Sequence, residues 1–174
     1  MTKLKMLLAG FLAVLILFLQ AGDAVTNNTS STSATASISE TISVTLSGGP
    51  INFANLMPGS DNNSADSSLN ITIDQVTNVA TNITQKGNAT FECSACDPVD
   101  NFSISNLRYS DNSTLTNAVN MTDTDSAPPF SNWTNIPKPT NSSQDREAHY
   151  WLSIPSGQTA GSYQTDIYVN VSKY

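Results

Sequence analysis

Apolar and polar residues alternate along several stretches of the chain, the first of them at residues 34–46. Its even positions hold Ala, Ile, Val, Leu and one Glu, while its odd positions hold only Ser and Thr. Successive side chains of a strand point to opposite faces, so this stretch predicts a strand with one apolar face.

Glu40 falls on that face, and burying an unpaired carboxylate costs several kcal/mol. We therefore expect the stretch to divide at Glu40. Residues 41–46 then join the domain's own sheet, and residues 32–39 form an arm whose inward side chains are Ala34, Ala36 and Ile38.

Shorter alternating segments follow, separated by turns rich in Gly, Pro and Asn. Residues 85–88 predict a tight turn, and a bulge near Asn106 would bring two out-of-phase segments on either side of it into one strand. The strands are predicted around these apolar side chains: Ile51 and Phe53; Leu69, Ile71 and Ile73; Val79 and Ile83; Phe102 and Ile104; Leu107 and Tyr109; Tyr150, Leu152 and Ile154; Tyr163, Ile167, Val169 and Val171.

The pattern as a whole is typical of an all-β fold. No sustained helical period occurs after residue 24, and the strands are short with frequent turns. We expect an antiparallel β-sandwich, immunoglobulin-like or jelly-roll-like in the broad sense. Residues 110–144 are rich in Asn, Ser, Thr and Pro with sparse apolar residues, and we expect a long loop there with one or two short strands.

The N-terminus has the order of a secretory signal. Lys3 and Lys5 precede an uncharged apolar run at residues 6–19, and small residues follow up to Ala24. The run is short for a membrane span, so we expect cleavage after Ala24 and no membrane contact afterwards; retention as an N-terminal anchor is the alternative. The predicted organisation is a signal peptide at residues 1–24, a polar spacer with the arm at residues 25–39, and one domain at residues 40–174. The predicted location is extracellular, at the cell surface.

Charge argues against two classes of partner. Only 12% of the residues are charged, and the net charge is -7. A chain without a basic patch does not bind nucleic acid or anionic lipid by releasing counterions from phosphates. We expect neither partner.

Asparagine occurs unusually often in the sequence Asn-x-Ser/Thr, the acceptor for N-glycans. Such sequons hold 12 of the 19 asparagines, whereas chance would give roughly five, since Ser and Thr make up 44 of 174 residues. We expect an N-glycoprotein of eukaryotic or archaeal origin; a plain bias toward Ser, Thr and Asn is the alternative. The sequon asparagines are Asn27, Asn28, Asn62, Asn70, Asn82, Asn88, Asn101, Asn112, Asn120, Asn132, Asn141 and Asn170.

Few residues of the chain are of the types that form disulfides, bind zinc or catalyse reactions. Cys93 and Cys96 are the only cysteines, and in an exported protein they predict a disulfide across a very small loop between strands. His149 is the only histidine, too few ligands for zinc, and we expect it at the start of a strand. Neither a Gly-x-Ser-x-Gly elbow nor a pair of carboxylates flanked by apolar residues is present, so we expect no enzyme.

Two acidic loops contain oxygen ligands of the kind that calcium binds. Asp97 and Asp100 lie in one such loop, and Asp123 and Asp125 in another. Both lack the full calcium-loop signature. Solvated loops without a cofactor are therefore the expectation, with calcium as the alternative.

Three phrases of the sequence resemble a family of secreted β-sandwich domains. They are WLSIPSGQTAGSYQTDIYVNV at residues 151–171, INFANLMPGS at residues 51–60 and NFSISNLRYS at residues 101–110. The likeness is to archaeal surface domains and, more distantly, to bundling pilins and TasA-like biofilm fibre subunits. It implies a fold in which the N-terminal strand of one subunit completes the sheet of the next.

These observations lead to two hypotheses about function. The first is a non-enzymatic structural subunit of a cell-surface filament or envelope, a homopolymer in which each arm is added as a strand to a neighbour. The second is a monomeric surface module that binds carbohydrate or calcium through residues 110–144, with Phe130 and Trp133 exposed.

Overall fold

The computed structural model describes residues 33–96 and 98–174. The predicted signal peptide, residues 25–32 and the sequon residues Asn27 and Asn28 lie outside the described residues. The chain divides into two compact units, Met1–Ser37 and Ile38–Tyr174. In the first unit, residues 33–37 are exposed and belong to no helix or strand. The second unit carries every described strand.

The described residues form ten short strands, all paired antiparallel, and three single 3-10 turns. The 3-10 turns lie at Ile104–Asn106, Leu115–Asn117 and Ser131–Trp133. The strands are β1 (Val44–Ser47), β2 (Asn63–Ser64), β3 (Leu69–Ile73), β4 (Thr81–Gly87), β5 (Thr90–Cys93), β6 (Asp100–Ser103), β7 (Leu107–Ser110), β8 (Val119–Asn120), β9 (Gln144–Leu152) and β10 (Ile167–Lys173). The prediction of an all-β, antiparallel fold is confirmed.

The strands belong to three sheets. The largest has the order β1-β3-β9-β7-β8, with β2 also paired to β9; the other two are β10-β4 and β5-β6. One hydrophobic core receives side chains from all three sheets, among them Ile71, Ile83, Phe91 and Tyr150. The alternation in β3 explains its place, because Leu69, Ile71 and Ile73 are buried while the residues between them are half-exposed.

The alternating pattern misplaced several strand boundaries. Residues 51–53 form no strand, although Ile51 and Phe53 pack against the core. Residues 85–87 are not a turn but the end of β4, where Gln85 is buried. Tyr163 lies before β10 rather than in it. In each case a side chain is buried or half-buried by contacts from outside its own segment, which local alternation does not reveal.

The break near Asn106 is a change of sheet rather than a bulge. The 3-10 turn Ile104–Asn106 separates β6, which pairs with β5, from β7, which pairs with β9. The Ser103 hydroxyl caps this turn by accepting a hydrogen bond from the Ser105 amide at 3.2 Å. The change of phase between the two apolar segments therefore marks the passage of the chain from one sheet to another.

Residues 110–144 contain one short strand, β8, and two 3-10 turns, and their aromatic residues are not exposed. Trp133 is 0% exposed and Phe130 7%. Their rings meet edge to face at 5.0 Å, and the Phe130 ring lies 5.7 Å from that of Tyr109 in β7. The expected exposure of Phe130 and Trp133 is wrong, because this packing anchors the segment to the core.

Candidate interaction groove

β1 and β10 are among the strands of the described residues that lie at the edge of a sheet. β1 is the outermost strand of the large sheet and pairs only with β3, while β10 pairs only with β4. The free edge of such a strand presents backbone N–H and C=O groups that another strand can bind. The two free edges belong to different sheets.

An apolar groove of about 340 Å³ lies between these two strands. Ile42, Val44 and Leu46 line one side, and Val169 and Val171 line the other. Exposure is substantial, since Leu46 is 49% and Ile42 37% exposed. Val44, Val169 and Val171 pack against the hydrophobic core, so the core lies directly behind this β1–β10 groove. The groove is therefore a place where the core is incompletely covered.

Residues 39–45 are held in place by the chain that follows β3. The Thr41 amide donates to Asn78 Oδ1 at 2.8 Å, and Asn78 Nδ2 donates to the Ser39 carbonyl at 2.8 Å. The Ser43 and Thr45 hydroxyls both donate to the Asp74 carboxylate. These hydrogen bonds extend the attachment of β1 beyond its ladder with β3, back to Ser39.

Glu40 is exposed and forms an ion pair with Lys173, the last residue of β10. The expectation that no core strand runs through Glu40 agrees with this arrangement, since β1 begins at Val44. The ion pair joins the two sides of the groove at one end, which we call the Lys173 end. The opposite end, where β1 ends and β10 begins, is called the Ile167 end.

The arm residues that the structure describes are exposed and form no strand. Ile38 is 86% exposed, the highest value among the large apolar side chains of the described residues. Ala34 and Ala36, the other predicted inward residues, are also exposed.

None of the sequon asparagines within the described residues lines the groove. Of the ten within the described residues, Asn62, Asn88, Asn101, Asn120, Asn132, Asn141 and Asn170 are exposed, and Asn70, Asn82 and Asn112 are half-buried. Asn170 belongs to β10, but alternation turns it away from Val169 and Val171. Residues 29–61, which include the arm and β1, contain no sequon.

A second cluster fixes the loop before β10. Cys93 and Cys96 form a disulfide with an S–S distance of 2.04 Å at the end of β5, the predicted pairing. Gly161 packs on it so closely that an added Cβ would overlap both sulfur atoms. Only glycine fits at this contact, which gives the Ala-Gly-x-Tyr motif at residues 160–163 a structural role.

Asp100, at the start of β6, holds the same loop. Its Oδ2 accepts hydrogen bonds from the Thr159 amide and the Tyr163 hydroxyl, both at 2.8 Å. These bonds, first of all the one from Thr159, hold the pKa of Asp100 below its ordinary value of 3.8. Desolvation and the neighbouring carboxylate raise the pKa of Tyr163. The Asp100 carboxylate thus faces hydrogen-bond donors of its own chain. In the other acidic loop, the carboxylate of Asp125 forms an ion pair with Lys86 at 2.9 Å.

His149 lies near the end of β9 rather than at the start of a strand. Its Nε2 is 3.2 Å from Glu147 Oε2. Ser110 lies opposite His149 in the β7–β9 ladder, but its hydroxyl donates to Asp111 at 3.4 Å.

Across residues 33–96 and 98–174, no group of three or more His, Cys, Asp or Glu side chains is arranged to hold a metal ion. In the same part of the chain, none of the helices has the length and apolar character needed to cross a membrane.

The sequence pattern predicts a strand close to β1 and the cysteine pair, but not the contacts of Asn78, Lys173 or Asp100. Asn78 is one of the asparagines outside a sequon, and nothing in its spacing marks it. No protein-family model matches the chain, and no curated protein matches its sequence significantly.

Proposed function

We propose that this protein is a secreted, N-glycosylated structural subunit of a cell-surface filament or envelope. Each subunit inserts its arm as a strand into the β1–β10 groove of the next, in a fold of two packed sheet layers, a β-sandwich. The protein is not an enzyme and needs no cofactor for this role. The single observation that carries the proposal is the apolar groove between two unpaired strand edges in a chain that also has an unpartnered apolar arm.

The dimensions of arm and groove agree. Ala34 and Ile38 are four residues apart, as are Ile42 and Leu46, and a strand covers about 13 Å over that distance. Three inward side chains of the arm, Ala34, Ala36 and Ile38, therefore match the three that line the β1 side. The free edges of the flanking strands supply the backbone hydrogen bonds.

Apolar burial provides a driving force. Ile38 is 86% exposed in the single chain, and burying an isoleucine side chain contributes about 1.5–3 kcal/mol. Each new backbone hydrogen bond adds about 0.5–1.5 kcal/mol. Leu46 and Ile42 would be covered at the same time.

Insertion of the arm into its own groove is disfavoured by the attachment of residues 39–45. Asn78 holds Ser39 and Thr41, and Glu40 pairs with Lys173. An arm that entered its own groove would have to reverse direction around Ile38 without disturbing these contacts. A neighbouring chain meets no such constraint.

The distribution of sequons supports the same surface. Glycans would leave the arm and β1 free, because residues 29–61 contain no sequon, and Asn170 in β10 points to the face opposite Val169 and Val171. The monomeric binding module is not favoured by any specific observation, since the aromatic side chains assigned to its binding loop are buried.

Complementation between two variants tests the proposal. Ile38→Asp should prevent a chain from donating its arm, and Leu46→Asp should prevent it from accepting one. The native protein should form high-mass species, each variant of the exported protein alone should form none, and the two mixed should form a one-to-one dimer, measured by native mass spectrometry. Ser37→Asp and Ser47→Asp, the adjacent exposed positions, are the matched controls and should still polymerise.

Two results would refute the proposal. One is a native protein that stays monomeric by native mass spectrometry and by electron microscopy at all concentrations. The other is polymerisation that both Asp variants leave unchanged. Circular dichroism of each variant verifies that the domain is still folded.

A further inference from the structure

The direction of the inserted strand follows from the two ends of the groove. We infer that the arm of one subunit runs parallel to β1 and antiparallel to β10 of the subunit that accepts it. Its Ala34 then lies at the Lys173 end and its Ile38 at the Ile167 end. This inference rests on the proposed function, since it concerns the same groove and the same arm.

The two sides of the groove run in opposite directions. Glu40 precedes β1 and pairs with Lys173, which ends β10, so the beginning of β1 lies beside the end of β10. An inserted strand must therefore be parallel to one side and antiparallel to the other. Only two orientations exist, and they place the donor's folded domain at opposite ends of the groove.

The arm of the accepting subunit itself departs at the Lys173 end. Its residues 39–41 are fixed there by Asn78 and by the Glu40–Lys173 ion pair. If the donated Ile38 also lay at the Lys173 end, the donor's domain would follow at the place where the acceptor's arm emerges. Two chains in that position can exchange arms reciprocally, which closes a two-fold dimer and ends growth.

The opposite orientation gives an open chain. With the donated Ile38 at the Ile167 end, the donor's domain follows at that end, while the acceptor's own arm leaves at the other. Contacts of this head-to-tail kind form an open filament unless the rotation between successive subunits closes them into a ring. A subunit that polymerises through this groove therefore requires the orientation parallel to β1.

Side-chain size agrees with this orientation. Ile38 is the largest inward residue of the arm, and Leu46, at the Ile167 end, is the most exposed side chain that lines the groove, at 49% against 37% for Ile42. The orientation parallel to β1 brings Ile38 to Leu46 and the small Ala34 to the better covered Ile42.

Cysteine crosslinking separates the orientations. Ala34→Cys is combined with Val171→Cys in one variant and with Ile167→Cys in another. Val171 and Ile167 lie on the same face of β10, about 13 Å apart. After mild oxidation, denaturing gels without reductant should show a ladder of covalent oligomers for the Val171 variant and none for the Ile167 variant. Cys93 and Cys96 are already bonded to each other.

The other outcomes overturn different statements. A ladder or a covalent dimer only with Ile167→Cys reverses the inferred orientation and leaves strand donation intact. Filaments without crosslinks in either variant place the arm away from β10 and also overturn the orientation. A crosslink confined to the monomer band means that the arm fills its own groove, which refutes the proposed function itself.

Discussion

Asn78 holds Thr41 through a hydrogen bond of 2.8 Å from the Thr41 amide to the asparagine Oδ1. The same side chain donates to the Ser39 carbonyl, so one residue in the turn after β3 fixes the segment that leads into the arm. Neither the sequence pattern nor the ladder of β1 with β3 includes this contact. It determines where the arm leaves the domain.

Asn78→Ala should therefore loosen the base of the arm. Loss of two hydrogen bonds should lower the free energy of unfolding by about 1–2 kcal/mol, measured by urea denaturation. Polymerisation should fall in favour of monomer, because the arm gains the freedom to fold back. Asn78→Asp keeps the acceptor for Thr41 and loses the donor to Ser39, so it should have an intermediate effect. Unchanged assembly in the Asn78→Ala variant would show that the Asn78 hydrogen bonds do not direct the arm.

Gly161 allows the loop before β10 to pack on the disulfide. Gly161→Ala should destabilise the domain by about 1–3 kcal/mol, because the new methyl group overlaps both sulfur atoms and the loop must move. Ser162→Ala, at the exposed neighbouring position, should be close to neutral. Thermal denaturation of both variants provides the comparison, and equal stability would mean that the loop adapts without cost.

The stability of the folded protein should fall at low pH because of Asp100. Its pKa is lowered in the folded state, so its contribution is fully present above the ordinary value of 3.8 and is lost as the pH falls through the lowered value. Thermal denaturation from about pH 6 to about pH 2 should show the native protein losing more stability than Asp100→Asn, which has no carboxylate to protonate. Parallel curves for the two proteins would contradict this role.

The buried pair of Tyr150 and Gln85 offers a test of polar packing in the core. The Tyr150 hydroxyl donates to Gln85 Oε1 at 2.8 Å, and burial raises the pKa of that tyrosine. Tyr150→Phe should cost about 1–3 kcal/mol, because it leaves the amide oxygen without a partner. The double variant Tyr150→Phe with Gln85→Leu should recover part of the loss. A double variant that is less stable than the sum of the two single changes would argue against this account.

The sequence determined the class of fold and the two features of β1 that matter most. The alternation at residues 34–46 predicts a one-sided strand, and the carboxylate of Glu40 predicts its interruption, since both depend only on local geometry and on the cost of burying charge. The two cysteines, three residues apart, were likewise sufficient to predict their disulfide.

Only the tertiary structure decided which apolar faces are covered. Trp133 and Phe130 lie in a polar segment of the sequence and are buried with their rings against Tyr109, whereas Leu46 and Ile42 have a strong strand pattern and remain exposed. Burial depends on which strands are neighbours, and pairing partners such as β1 with β3 or β10 with β4 are far apart in sequence. The groove exists because two strands from different sheets each have one free edge, a relation between distant segments that no local pattern contains.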